Sequence, residues 1–134
     1  EWGLGSTASG RGMTMADLDS DGDLDIVVNN LRSPAQLFEN DLCGGAGWEV
    51  DLRFPSTGNP NAIGARVTLD TSVGILQRRV RANAGYLSGE TSRLHFGLSA
   101  NAVIERMVIS WPDGRVSTLD KPLPNLLLTI TRTN

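Results

Sequence analysis

The sequence predicts an all-β chain, an antiparallel β-sandwich or partly open barrel preceded by a β-hairpin that closes on an acidic loop. Three observations carry this expectation. Apolar and polar residues alternate in short runs, the period of a half-buried strand. Fifteen glycines and six prolines among 134 residues separate those runs with turn signals. No stretch carries the apolar stripe of an amphipathic helix. An apolar fraction of 40% and a charged fraction of 20% fit a globular protein, and a chain of this length buries a core without staples.

In order along the chain, Met13-Thr14-Met15-Ala16 is the first strand candidate, after a segment rich in Gly, Ser and Thr. The acidic loop at 17–25 follows. The β-branched run Leu24-Asp25-Ile26-Val27-Val28 leads out of it as a second strand. Residues 36–40 form a third after the turn at Ser33-Pro34, and the glycine-rich 42–47 reads as a linker. The expected division is an N-terminal unit over 1–45 and a β-sandwich domain over 46–134. From Trp48 the alternation is clean: Trp48, Val50, Leu52 and Phe54 face one way, and Glu49, Asp51 and Arg53 the other. Beyond a turn-forming loop at 56–61, Ala65, Val67 and Leu69 alternate with Arg66, Thr68 and Asp70. A hairpin at 71–74 leads into 75–82, and Leu94, Phe96 and Leu98 alternate with Arg93, His95 and Gly97. Strands at 103–111 and 115–119 flank Pro112-Asp113-Gly114, where the proline presets φ and Gly114 can take the positive φ that closes a three-residue loop. Residues 126–132 complete roughly seven strands after residue 47. Trp48 and Trp111 belong in the core, and Trp2 is either exposed or an anchor for the N-terminal segment.

The net charge of −3 conceals an asymmetry, because residues 1–50 hold nine acidic and two basic side chains while 51–134 hold six and ten. Asp17, Asp19, Asp21, Asp23 and Asp25 crowd into one nine-residue loop. A hard cation takes several oxygen ligands at ~2.3–2.6 Å, and carboxylates at alternate positions supply them when the chain curls round it. Asp17, Asp19 and Asp21 stand at positions 1, 3 and 5, and Gly22 permits the sharp turn that follows. Asp23 would ligate through its main-chain carbonyl at position 7, and Asp25 would close the site directly or through water. The expected cofactor is Ca2+. Zinc would need Cys or His, which the loop lacks, and magnesium keeps more of its waters. Val28 occupies position 12, where an EF-hand needs a bidentate Glu, and Ile26-Val27-Val28 favours a strand over a helix. The ion is therefore expected to hold strands together rather than to open a helical groove. A metal-free acidic turn would leave five carboxylates repelling one another with nothing to compensate them.

The stretch Ala16-Asp17-Leu18-Asp19-Ser20-Asp21-Gly22-Asp23-Leu24-Asp25-Ile26-Val27-Val28-Asn29-Asn30, followed by Leu37-Phe38-Glu39-Asn40, resembles a calcium-binding FG-GAP/VCBS repeat. Such repeats form β-propeller blades in integrin α chains and in many exported bacterial proteins. Residues 48–134 resemble the ASPIC/UnbV domain, which follows such repeats in the cartilage acidic protein family. Asn61-Ala62-Ile63-Gly64-Ala65-Arg66-Val67, Gly85-Tyr86-Leu87-Ser88, Leu94-His95-Phe96-Gly97-Leu98 and Trp111-Pro112-Asp113-Gly114-Arg115 carry that likeness. The resemblance implies a secreted or cell-surface protein with an adhesive or matrix-type role, and it brings no chemistry to transfer. A propeller needs several blades and residues 1–45 are part of one, so they are expected to pack on the sandwich rather than on another chain.

The function expected is that of a calcium-binding, non-catalytic extracellular interaction or structural module, with a protein or glycan partner. Two alternatives stay open: a hydrolase or accessory enzyme domain with an unrecognised carboxylate site, and an anionic glycan-binding module. The second would use Arg66, Arg78, Arg79, Arg81 and Arg93 as a basic face. No stacking aromatics interleave with those arginines, which argues against nucleic acid. His95, the only histidine, alternates outward and reads as a surface or edge residue. Cys43 sits in a glycine-rich segment without a basic neighbour to activate it, so a Cys43–His95 dyad is not expected. Ser88 lacks the spacing of a nucleophile elbow. No apolar run reaches membrane-span length. The chain opens on Glu1 with no signal peptide, as a fragment or processed product would, and its unpaired N-terminal strands could self-associate.

Overall fold

The structure, a computed structural model, describes residues 4–41, 45–83, 85–86, 88–89, 91–123 and 127–133. Trp2 and Cys43 lie outside the described residues. Among those described there are ten strands and no helix. They are β1 (Gly10–Ala16), β2 (Asp25–Asn30), β3 (Gln36–Phe38), β4 (Gly45–Arg53), β5 (Arg66–Thr71), β6 (Gly74–Arg79), β7 (Leu94–Ser99), β8 (Ile104–Ser110), β9 (Val116–Asp120) and β10 (Leu127–Thr131). They form three open sheets in the orders β1-β2-β3, β10-β4-β7 and β6-β5-β8-β9.

The second and third sheets are the two layers of a sandwich. Period-2 alternation sends Trp48, Val50 and Leu52 of β4 and Phe96 and Leu98 of β7 inward from one layer. Val67 and Leu69 of β5 and Met107 and Ile109 of β8 come inward from the other, and all nine are buried in one cluster. Trp48 and Phe96 meet as a tilted pair with centroids 6.2 Å apart, a geometry aromatic quadrupoles favour. Trp111 closes the end of the core beside Phe54, as the sequence leads one to expect.

Two features depart from the expectation. The segment assigned to a linker over 42–47 is already strand from Gly45, paired through Gly45↔Ser99 and Gly47↔Gly97 with β7. Its glycines hide the alternation, because a residue without a side chain gives no apolar or polar signal. The other is direction: β10 runs parallel to β4, while the remaining strand pairs of the sandwich are antiparallel. The connection after β9 crosses from one layer to the other before β10 begins, so no tight turn dictates its direction.

The N-terminal sheet meets the outer face of the β10-β4-β7 layer through its acidic loop, at Gly47 and His95. Its strands pair antiparallel, with β2 in the middle and the acidic loop joining β1 to β2.

Candidate metal centre

The acidic loop is shaped by its own carboxylates. Asp17 accepts hydrogen bonds from the Ser20 N–H at 2.7 Å and the Gly22 N–H at 3.2 Å. Asp19 accepts from the Asp21 N–H and Asp21 from the Asp23 N–H, at 3.2 and 3.0 Å. Each is a side chain curling the backbone two to five residues ahead, the local habit that makes aspartate a turn former. Ser20 and Gly22 take positive φ, 67° and 98°, to complete the curl. The outcome is that Asp17, Asp19 and Asp21 each bring a carboxylate oxygen within 4.8 Å of the others.

The remaining two aspartates behave differently. Asp25, at the start of β2, is buried, and its oxygens accept from the Leu18 N–H at 2.9 Å and the Asn40 N–H at 3.0 Å. It ties the loop's start to the end of the third strand and still has acceptor capacity left. Asp23 has one oxygen, Oδ1, closed off from solvent with no hydrogen-bond partner. Burial, and then the charges of Asp21, Asp25, Asp19 and Asp17, push the Asp23 carboxyl above its usual range. Asp41, followed by Asp19, does the same to the Glu39 carboxyl. Oxygen-only donors, crowded negative charge and an unpartnered carboxylate oxygen are a set that a hard divalent cation fits and a thiophilic one does not.

The loop is seated on the sandwich by its turn. Gly22 and Gly47 touch so closely that a Cβ on Gly47 would fall onto the Gly22 carbonyl oxygen. That same oxygen lies 2.8 Å from His95 Nε2, so the ring takes the tautomer in which Nε2–H donates. Gly47 and Gly97 face each other across β4 and β7 and leave a bare strip on this outer face, flanked by His95. Farther along, the Met13 N–H of β1 donates to Ser88 Oγ, which itself donates to the Tyr86 carbonyl. His95, read from the sequence as a surface or edge residue, is thus half-buried under the loop. Gly47, read as linker, is a contact residue. The available signal was that 47 and 97 are glycines at outward positions of alternating strands.

The arginines read as one basic face divide. Arg78 turns over the Phe96 ring, 5.7 Å from its centroid, and Arg93 pairs with Glu49 at 3.0 Å. Arg66 and Arg79 stand opposite each other across β5 and β6, and Arg81 follows just past the end of β6. No described helix is long and apolar enough to cross a membrane.

Comparison with known families matches residues 55–134 to the sequence model described as ASPIC and UnbV. No curated protein matches the chain.

Proposed function

The chain belongs to the ASPIC and UnbV family, and from that premise we propose that it is a calcium-stabilised, non-catalytic module of an extracellular or cell-surface protein. In this reading residues 1–45 are part of a repeat of the FG-GAP/VCBS kind. Ca2+ is held by Asp17, Asp19, Asp21 and Asp25 with the main-chain carbonyl of Asp23, and it fixes the repeat against the sandwich. The observation that carries the reading is the convergence of three carboxylates on a loop whose next residue, Gly22, is the contact with β4 and β7. A cation there neutralises charge that otherwise pushes the hairpin apart, and it orders the turn that docks.

Further support comes from exposure. Asp19 and Asp21 face solvent, and an open site of this kind suits the ~10⁻⁴–10⁻³ M dissociation constants of extracellular calcium modules. Two residues with catalytic chemistry have structural occupations: His95 Nε2 is engaged by Gly22, and Ser88 Oγ by Met13 and Tyr86.

Thermal melts with calcium and with a chelator test the proposal. At calcium 100-fold above its dissociation constant, linkage contributes ~2.7 kcal/mol, so chelation should lower the melting temperature by roughly 5–10 °C while most β structure persists. Asp21→Ala should melt like the chelated protein and no longer respond to calcium. Superimposable melts with and without chelator would remove calcium from the account.

A further inference from the structure

We propose that the cleft along the free edge of β6 is a binding site for an anionic oligosaccharide, gripped by the guanidinium groups of Arg79 and Arg81. The proposal deepens the interaction-module reading and rests on it for the hairpin that forms the cleft's opposite wall. β6 ends its sheet, and its free edge, which approaches β7, borders a cleft of about 700 Å³ whose far wall is the hairpin. That volume lies in the ~300–1,000 Å³ range of small-ligand sites.

Charge pairing picks out this edge. Among the described residues from β4 onward, Arg53, Arg93, Arg106, Arg115 and Arg132 each have an acidic partner. The arginines without one are Arg66, Arg78, Arg79 and Arg81, and the last three line the cleft. Arg66 and Arg79 are moreover register partners across β5 and β6, and like charges placed directly opposite destabilise a sheet. An oxyanion held at Arg79 offsets that repulsion and gains bidentate hydrogen bonds.

The rest of the lining selects the ligand class. Gln77 and Thr91 offer neutral donors and acceptors for hydroxyl groups, while the only ring in the lining is His95, already engaged by Gly22. Nucleobases would find no stacking platform. Asp17 stands on the far wall, so an ion that neutralises it favours the anion's entry.

The test is calorimetric titration with a heparin-derived hexasaccharide in calcium, beside a hyaluronan hexasaccharide, inorganic sulfate and a single-stranded hexanucleotide. Binding of a hexasaccharide is expected to weaken roughly tenfold in Arg79→Gln and in Arg81→Gln, the loss of one charge-assisted pair. Arg115→Gln, with the same charge change at a distant turn, should leave it within about twofold. The two saccharides separate sulfate from carboxylate recognition, and binding of either supports the proposal. No saccharide binding, equal weakening by Arg115→Gln, or equally tight binding of sulfate or the hexanucleotide would overturn it. The melts in calcium and chelator report separately on the ion, so a cation that stabilises a chain blind to saccharides leaves the calcium reading standing and this one refuted.

Discussion

At the scale of single residues, two contacts hold distant parts of the chain together. Gly47 is the tighter. Its missing side chain is what lets the Gly22 carbonyl reach β4, so Gly47→Ala should cost about 1–3 kcal/mol, as forced overpacking does. The same substitution should shrink the stabilisation that calcium confers, because the loop can no longer sit; chemical denaturation with and without calcium measures both. The second contact is Arg132. Its guanidinium lies 4.5 Å from the Phe54 ring centroid and 5.3 Å from that of Trp111, and it donates to both oxygens of Asp113 at 2.8 and 2.7 Å. First among the causes, that Arg132 hydrogen bond lowers the Asp113 carboxyl from 3.8 to about 2. A carboxyl with a depressed folded-state value stabilises the fold above its unfolded value and loses that contribution as pH falls. The loss should therefore run from about pH 4 downward through about pH 2. Melting temperatures across that interval should fall less steeply in Asp113→Asn than in the parent.

At the scale of elements, the N-terminal hairpin and the sandwich differ in what stabilises them. The sandwich strands face a continuous buried cluster. In β1 to β3 the only buried residues are Asp25 and Asn30, both polar, and Met13, Met15 and Leu37 stay exposed. Stability of this kind is local, and elements with few buried apolar contacts open first. Chelation should accordingly expose β1 and β2 to proteolysis well before any cut appears in β5 or β8; simultaneous cleavage throughout would contradict the separation. What the sequence discloses follows the same line. Alternating strands are legible because their information is local, and so is the acidic loop, whose spacing alone brings Asp17, Asp19 and Asp21 together. The seat of that loop was not legible. Gly47 and His95 lie far along the chain from Gly22, and a glycine at 47 looks the same in a linker as under a carbonyl. The parallel direction of β10 was hidden for a related reason, since no turn type encodes it. The split of the arginines became visible only with the β5–β6 register, which sets Arg66 against Arg79.

At the scale of the whole molecule, acid and base are segregated. Asp17 of the acidic loop stands on one wall of the β6 cleft, and uncompensated arginines on the other. Exposed charges interact over a Debye length of about 8 Å at physiological ionic strength, so the contrast acts at short range. The pairing of β4 with β10 makes the molecule depend on its far end. Removing residues 121–134 leaves β4 with β7 as its only neighbour. The truncated chain should then melt at a lower temperature, because Glu49 to Arg53 lose the strand that pairs them; an unchanged melt would contradict this dependence. That pairing also bears on how the chain is made. A ribosome releases β1, β2 and the aspartate loop before β4 to β10, yet the sheet beneath them is unfinished until β10 has emerged to lie along β4. Until then β4 carries a raw edge, the kind that recruits other chains. The sheet that carries the loop's seat is thus complete only when β10, far along the chain from the loop, has paired.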